Sequence, residues 1–272
     1  MTLYISDLDG TLLNGDAELS EYTIKTLNAM IAGGINFTVA TARTPATAFR
    51  ILAPLTLRLP IVLMNGVLIY DTEQRRYIKV NKLAPETVAS VVVTMRDFEI
   101  TGFMYELSGG EFMTYHESLE KEPLRDFVEQ RIAKYNKAFR HTEGFENISR
   151  DDIIYFTLLD TYERLRPVLD ALESQPGLNH TFYPDTYRPG LWYLEMFSPA
   201  ASKQSAVDYL RETPGYERVV GFGDNLNDLP MFAACDVKVA PENANPEVKA
   251  AADCICGGSD SDGVVRWLEG NL

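Results

Sequence analysis

The chain has 272 residues with 39 acidic and 25 basic side chains, a formal net charge of −14. That balance argues against a nucleic-acid partner, which wants basic stripes. No apolar run approaches the roughly 18 residues of a membrane span, and the amino terminus enters a strand with no basic leader, so the cytoplasm is the expected location. At 46% hydrophobic the composition is that of an ordinary globular protein, with length for one large or two moderate domains.

Leu3-Tyr4-Ile5 reads as a buried strand, and Gly10 is where such a strand would turn away. Asp7 and Asp9 then sit at its carboxyl end, where open α/β sheets bind ligands. Ser20 can cap a helix with Ile24, Leu27 and Ile31 on one face, ended by Gly33-Gly34. A strand over 35–39 delivers Thr41, and Pro45 opens a helix with Phe49 and Leu52 on its apolar side. A strand over 61–64 leads into Asn65-Gly66, which reads at least as well as a plain turn before 67–70.

Between about residues 81 and 197 the pattern changes. Helices are expected over 85–97, 124–135 and 162–172, interleaved with strands over 102–106, 153–159, 181–183 and 192–197. None of these strands ends in an acidic pair. Linkers are expected at Val80–Leu83 and Ser198–Ala201. After Lys203 the alternation returns: a helix to about Thr213, a strand over 219–222, a helix over 229–234, a strand over 237–239, a helix over 247–252 and a last helix containing Val264, Val265 and Leu268. Strands alternating with helices of this length imply βαβ units. The expected fold is a doubly wound parallel-sheet core with an inserted α/β cap domain.

A chemistry follows from four segments. Two carboxylates one residue apart point to opposite faces of an extended chain, but a turn at Gly10 can bring Asp9 toward Asp7. One can attack phosphorus while the other handles protons, because an ionised carboxylate forms a readily hydrolysed acyl phosphate. A phosphate dianion needs cations there. Asp224 and Asp228, after the strand over 219–222, suit magnesium, which takes hard oxygen ligands; Lys203 supplies a further positive charge. Thr41 offers a hydroxyl and nearby N–H groups, donors worth roughly 3 kcal/mol each to a transition state. Singly, these are ordinary features: an Asp-Gly turn, a strand-end threonine, a surface lysine, and an Asn/Asp-rich loop capping a helix near Pro230. Their conjunction after strands or at a helix start points to phosphoryl transfer.

Asp7-Leu-Asp-Gly-Thr-Leu12, Ala40-Thr-Ala-Arg43, Ser202-Lys203 and Gly221-Phe-Gly-Asp-Asn-Leu-Asn-Asp228 resemble, in order, the four motifs of the haloacid dehalogenase superfamily of phosphatases. The long insertion between the second and third makes the chain most similar to the Cof-type subgroup, mostly sugar-phosphate phosphatases. The resemblance implies Asp7 as nucleophile, Asp9 as general acid and base, and Thr41 and Lys203 as the phosphate-stabilising pair. It implies Mg2+ held by the Asp7 carboxylate, the Asp9 carbonyl and the Asp224 carboxylate, with Asn227 near the phosphate. Asp228 would orient Lys203 or a metal-bound water. Asn65-Gly66 falls where the family has a segment beside the site. Ala42 stands where the family usually has Gly, a methyl that restricts close approach of backbone to phosphate.

The expected reaction is hydrolysis of a small phosphorylated metabolite, a sugar phosphate foremost, by residues 1–80 and 199–272, with 81–198 as a cap over the site that sets specificity. Rival readings are a phosphomutase or phosphotransferase using the same aspartyl-phosphate, and, less well matched in length, a phosphorylated receiver domain. The 183–190 loop has groups suited to gripping a sugar, though an exposed turn is the plainer reading. Cys235, Cys254 and Cys256 form no zinc signature and are expected as small buried hydrophobes. His116, His141 and His180 match no metal spacing and are expected to be surface or structural. Oligomeric state is not legible.

Overall fold

The computed structural model describes residues 1–212 and 215–272. The chain begins with β1 (Thr2–Ser6), α1 (Glu21–Ala32), β2 (Asn36–Val39), α2 (Pro45–Leu52), β3 (Ile61–Leu63), β4 (Leu68–Asp71) and β5 (Arg76–Val80). Its middle holds α3 (Pro85–Asp97), β6 (Gly102–Ser108), β7 (Glu111–His116), α4 (Glu122–Tyr135), β8 (Arg140–His141), β9 (Ile153–Thr161), α5 (Tyr162–Leu172), β10 (Asn179–Pro184) and β11 (Leu191–Phe197). Then come α6 (Lys203–Glu212), β12 (Arg218–Phe222), α7 (Leu229–Ala233), β13 (Val237–Pro241), α8 (Pro246–Ala251), β14 (Cys254–Cys256) and α9 (Gly263–Asn271). The expected end of α6 at Thr213 lies outside the described residues. Two compact units result: residues 1–44, 48–79 and 202–272, and residues 45–47 with 80–201.

The first unit is built on a parallel sheet ordered β14-β13-β12-β1-β2. Strands from the two ends of the chain meet at its centre, with Ile5 opposite Gly221 and Ser6 opposite Phe222. Such strands are covered on both faces and so read as continuous apolar runs. Val219 packs with Leu3, Ile5, Val207, Leu210 and Phe232 in one buried cluster, while Phe222, of opposite parity, meets the Trp267 ring of α9. A parallel bridge, Ala40 to Val62, attaches β3 to the end of β2, and β3, β4 and β5 form a small sheet of their own.

The second unit is a six-stranded sheet ordered β10-β11-β9-β6-β7-β8, antiparallel except for the β7–β8 pair. Alternation divides its strands between two faces. Met104, Phe156, Leu158, Leu194 and Met196 pack with Val88, Val91 and Met95 of α3 and Leu165, Val168 and Leu169 of α5. Phe103, of opposite parity, stacks on Phe127 of α4.

Local signals account for what was legible. The Ser20 hydroxyl accepts from the Thr23 N–H at 2.9 Å and caps α1, and prolines open α2 and α3. The sequence pattern omits four strands. Among these, β5 is exposed or half-buried along its length and has no alternation to read, β8 has two residues, and β14 has three. The fourth, β7, mixes polar and aromatic residues on both faces. Cys235 and Cys256 are buried as expected, Cys254 is half-buried, and all three are free. In the 183–190 loop Asp185 accepts from the Tyr187 and Arg188 N–H groups and pairs with the Arg188 guanidinium at 2.9 Å, so its charged groups close the turn on itself. None of the described helices is long and apolar enough to cross a membrane.

Ser20 also donates to Asp262, which accepts from the Thr23 hydroxyl and opens α9. Ser20→Ala should therefore remove a cap and a tie between α1 and α9, costing about 1–2 kcal/mol. A lowered urea midpoint is the expected result; an unchanged midpoint would show that Thr23 and Asp262 hold the junction alone.

Candidate active site

β1 and β12 end side by side, and the Asp7 N–H donates to the Phe222 carbonyl at 2.8 Å. Asp7 therefore leaves the sheet next to the point where the 223–228 segment begins. The chain then makes a single wide turn over Leu8–Leu12, closed by the Leu13 N–H on the Leu8 carbonyl. Gly10 takes φ +73° in it, and a Cβ there would stand 2.3 Å from Asp224 Oδ2. Only glycine fits both the conformation and the space.

After β12, a capping box organises the acidic loop: Asp228 Oδ2 accepts from the Asp224 and Asn225 N–H groups at 2.9 and 3.0 Å. Its other oxygen, Oδ1, accepts from Lys203 Nζ at 2.6 Å, and Lys203 reaches Asp7 Oδ1 at the same distance. The lysine is 1% exposed and begins α6. Its placement depends on Gly66, which at φ +94° lies so close to Ser202 that a Cβ would stand 2.2 Å from the Ser202 carbonyl.

The remaining candidates gather around this bridge. Thr11 donates to Asp224 Oδ1 at 2.8 Å. The Asn227 amide meets Asn65 Oδ1 at 3.3 Å, both side chains being buried. Asn65 takes a left-handed conformation, φ 53°, so Asn65-Gly66 is more than a turn between strands. Thr41 is fully buried; its N–H is committed to the Val62 carbonyl and its hydroxyl oxygen accepts from the Arg43 N–H. The expected supply of N–H donors around Thr41 is thereby narrower than sequence suggests, leaving the Thr41 O–H, with Ala42 beside it.

Arg43, the last residue of the second motif, carries a contact for which the resemblance implied no role. Its guanidinium grips Asp9 with both arms, Nε to Oδ2 at 2.6 Å and Nη2 to Oδ1 at 2.5 Å. A carboxylate so held is an acceptor on both oxygens. A role in proton donation would require Asp9 to leave this fork. The signal available in sequence was only a basic residue two positions after Thr41.

Electrostatics show an excess of negative charge. Burial pushes the Asp7 carboxyl up to about 7, with Asp228 and Asp9 adding to it and Lys203 opposing. Asp224 is held well above the usual carboxylate range, by burial first and then by Asp228 and Asp7. Burial would lower the Lys203 ammonium, yet Asp228 and Asp7 raise it. One lysine does not balance three buried carboxylates whose oxygens lie within 4.8 Å of one another. Asp228 has both oxygens engaged by protein donors, whereas Asp7 and Asp224 each have one oxygen engaged. Hard oxygen donors in a charge-deficient site fit a divalent cation of the magnesium type.

A family model described as haloacid dehalogenase-like hydrolase matches residues 4–268. The chain is 23% identical to a pyridoxal phosphate phosphatase of Escherichia coli, over 98% of this chain and 97% of that protein. It is 24% identical to a 5-amino-6-(5-phospho-D-ribitylamino)uracil phosphatase of Bacillus subtilis, over 97% and 94%. A solved haloacid dehalogenase-like hydrolase from Bacteroides thetaiotaomicron superposes with a TM-score of 0.82 at 25% identity, covering 100% of this chain and 99% of that one.

Without a cation the raised Asp7 carboxyl makes stability fall with pH. The folded state keeps a proton between the ordinary 3.8 and about 7 that the unfolded state releases, so the contribution is full below that window and lost above it. In EDTA, Asp7→Asn should gain thermal stability relative to wild type as pH rises from 5 to 8. A gap that stays constant with pH would contradict the charge excess.

Proposed function

The chain belongs to the haloacid dehalogenase-like hydrolases as a phosphatase of that type, and we propose that it hydrolyses small phosphorylated metabolites, sugar phosphates foremost, through an aspartyl-phosphate on Asp7. The observation that carries this reading is the buried Lys203 ammonium bridging Asp7 and Asp228, set among carboxylates that lack enough positive charge. Such a place favours an incoming phosphoryl group only together with a cation. The Asp7 and Asp224 carboxylates and the Asp9 carbonyl are the groups that would hold Mg2+. When bound, the ion supplies positive charge that offsets the carboxylates and polarises phosphoryl oxygens.

In this reading one oxygen of the Asp7 carboxylate attacks phosphorus in line with the leaving alkoxide. Asp9, once released from Arg43 and protonated from solvent, gives that proton to the leaving alkoxide and, again ionised, takes one from the water that cleaves the acyl phosphate. Lys203 and the Thr41 hydroxyl stabilise charge on the transferring oxygens, and Asn227, buttressed by Asn65, lies near them. Asp228 keeps Lys203 aimed, since both of its oxygens are tied to neighbours. The inserted unit is read as the cap that selects the substrate's leaving group, its closure excluding water. Two relatives named for phosphorylated small metabolites support this substrate class.

Orthophosphate release from sugar phosphates, pyridoxal phosphate, nucleotides and p-nitrophenyl phosphate, with Mg2+ and with EDTA, tests the reading. Release should require Mg2+ and vanish in Asp7→Asn; a tenth of wild-type activity surviving in that variant would exclude covalent catalysis. Asp9→Asn should lower kcat by about 10²–10⁴-fold. Turnover seen only with an added acceptor hydroxyl would instead identify a phosphotransferase.

A further inference from the structure

We propose that His116 and His141 form a two-imidazole site for a divalent transition ion, Zn2+, Ni2+ or Cu2+, at the edge of the six-stranded sheet. The two histidines are far apart in sequence, but β7 and β8 run parallel with His116 in register with His141. In-register residues of neighbouring strands leave the same face of a sheet. Their ring centroids are 5.6 Å apart with planes at 64°. A metal–nitrogen bond of about 2.0–2.1 Å and a nitrogen about 1.1 Å from its ring centre put two imidazoles sharing a tetrahedral ion about 5 Å apart between centroids. His141 is exposed, which leaves its ring room to turn toward a shared ion.

His116 Nδ1 is buried without a hydrogen-bond partner. Buried polar nitrogens are ordinarily satisfied, and one that is not calls for a ligand or a water. Thr114, two residues earlier on β7 and so on the same face, also has a buried hydroxyl without a partner. The nearest basic neighbour in sequence, Arg140, lies over the Tyr115 ring, on the opposite face by alternation, and does not oppose a cation between the histidines. Burial and the neighbouring His141 lower the His116 pKa, which favours the neutral imidazole that metals bind. Nitrogen donors select borderline transition ions over magnesium. The two-residue strand β8 is an outermost strand of its sheet, so the bound ion would cross-link it to β7, with water or an exogenous ligand completing the coordination. This site shares no residue with the Asp7 cluster and stands or falls independently of the phosphatase reading.

Copper titration of the full chain in excess Mg2+, read by electron paramagnetic resonance, tests it. Wild type should bind one Cu2+ whose spectrum shows two imidazole nitrogens, and Asp224→Asn should keep that signal. His141→Ala, at an exposed position that leaves folding intact, should lose the two-nitrogen signature and bind at least about tenfold more weakly; His116→Gln should do the same. A two-nitrogen spectrum that persists in His141→Ala, or is absent from wild type, overturns the proposal.

Discussion

The Lys203 ammonium, sealed from water between Asp7 and Asp228, is the interaction on which the first unit turns. A charge without a partner in such a place costs several kcal/mol, and removing one member of a buried pair typically destabilises by about 3–5 kcal/mol. The three residues come from three distant parts of the chain, so the sheet must align β1 with β12 and seat the start of α6 against Gly66 before the charges can meet. Strand order and glycine placement are in this sense consequences of electrostatics as much as of apolar burial.

That same bridge leaves the site deliberately short of positive charge. Asp7 and Asp224 shift toward protonation because burial and like-charged neighbours outweigh one lysine. A site so poised gains from a cation and from anions that arrive with it. Arg43 handles the fourth carboxylate separately, by gripping Asp9. The two acids of the Asp7-Leu-Asp9 segment thus have different partners, a buried lysine for Asp7 and an arginine fork for Asp9, and in the proposed reaction this difference would separate an attacking role from a proton-carrying one.

In the second unit the alternation of strands sorts apolar and polar side chains onto two faces. One face meets α3 and α5 through aliphatic side chains. On the other, Tyr183 donates to the buried Glu195 at 2.8 Å, and Lys137 has its ammonium 4.7 Å from the Phe139 ring centre and 4.9 Å from that of Tyr105. Polar groups buried at that density make this face, rather than the aliphatic one, the chemically specific side of the sheet. His116 belongs to it.

Local periodicity made much of this legible. Apolar runs ending in acids marked β1 and β12, prolines and caps marked the helices, and α3 and α5 span the very residues the pattern indicates, because each signal acts within one or two turns of chain. The strands left unread, β5, β7, β8 and β14, are short or lack alternation, and they exist because a neighbouring strand supplies their hydrogen bonds. The same limit applies to the site. The sequence by itself pointed to phosphoryl transfer and placed Asp7 and Asp224 just after strands, with Asp9 and Asp228 a few residues beyond them. Only the tertiary structure decided that Lys203 bridges Asp7 and Asp228, that Arg43 holds Asp9, that Asn65 meets Asn227, and that His116 faces His141. Those pairings depend on strand order and register, which bring together residues that no local spacing relates.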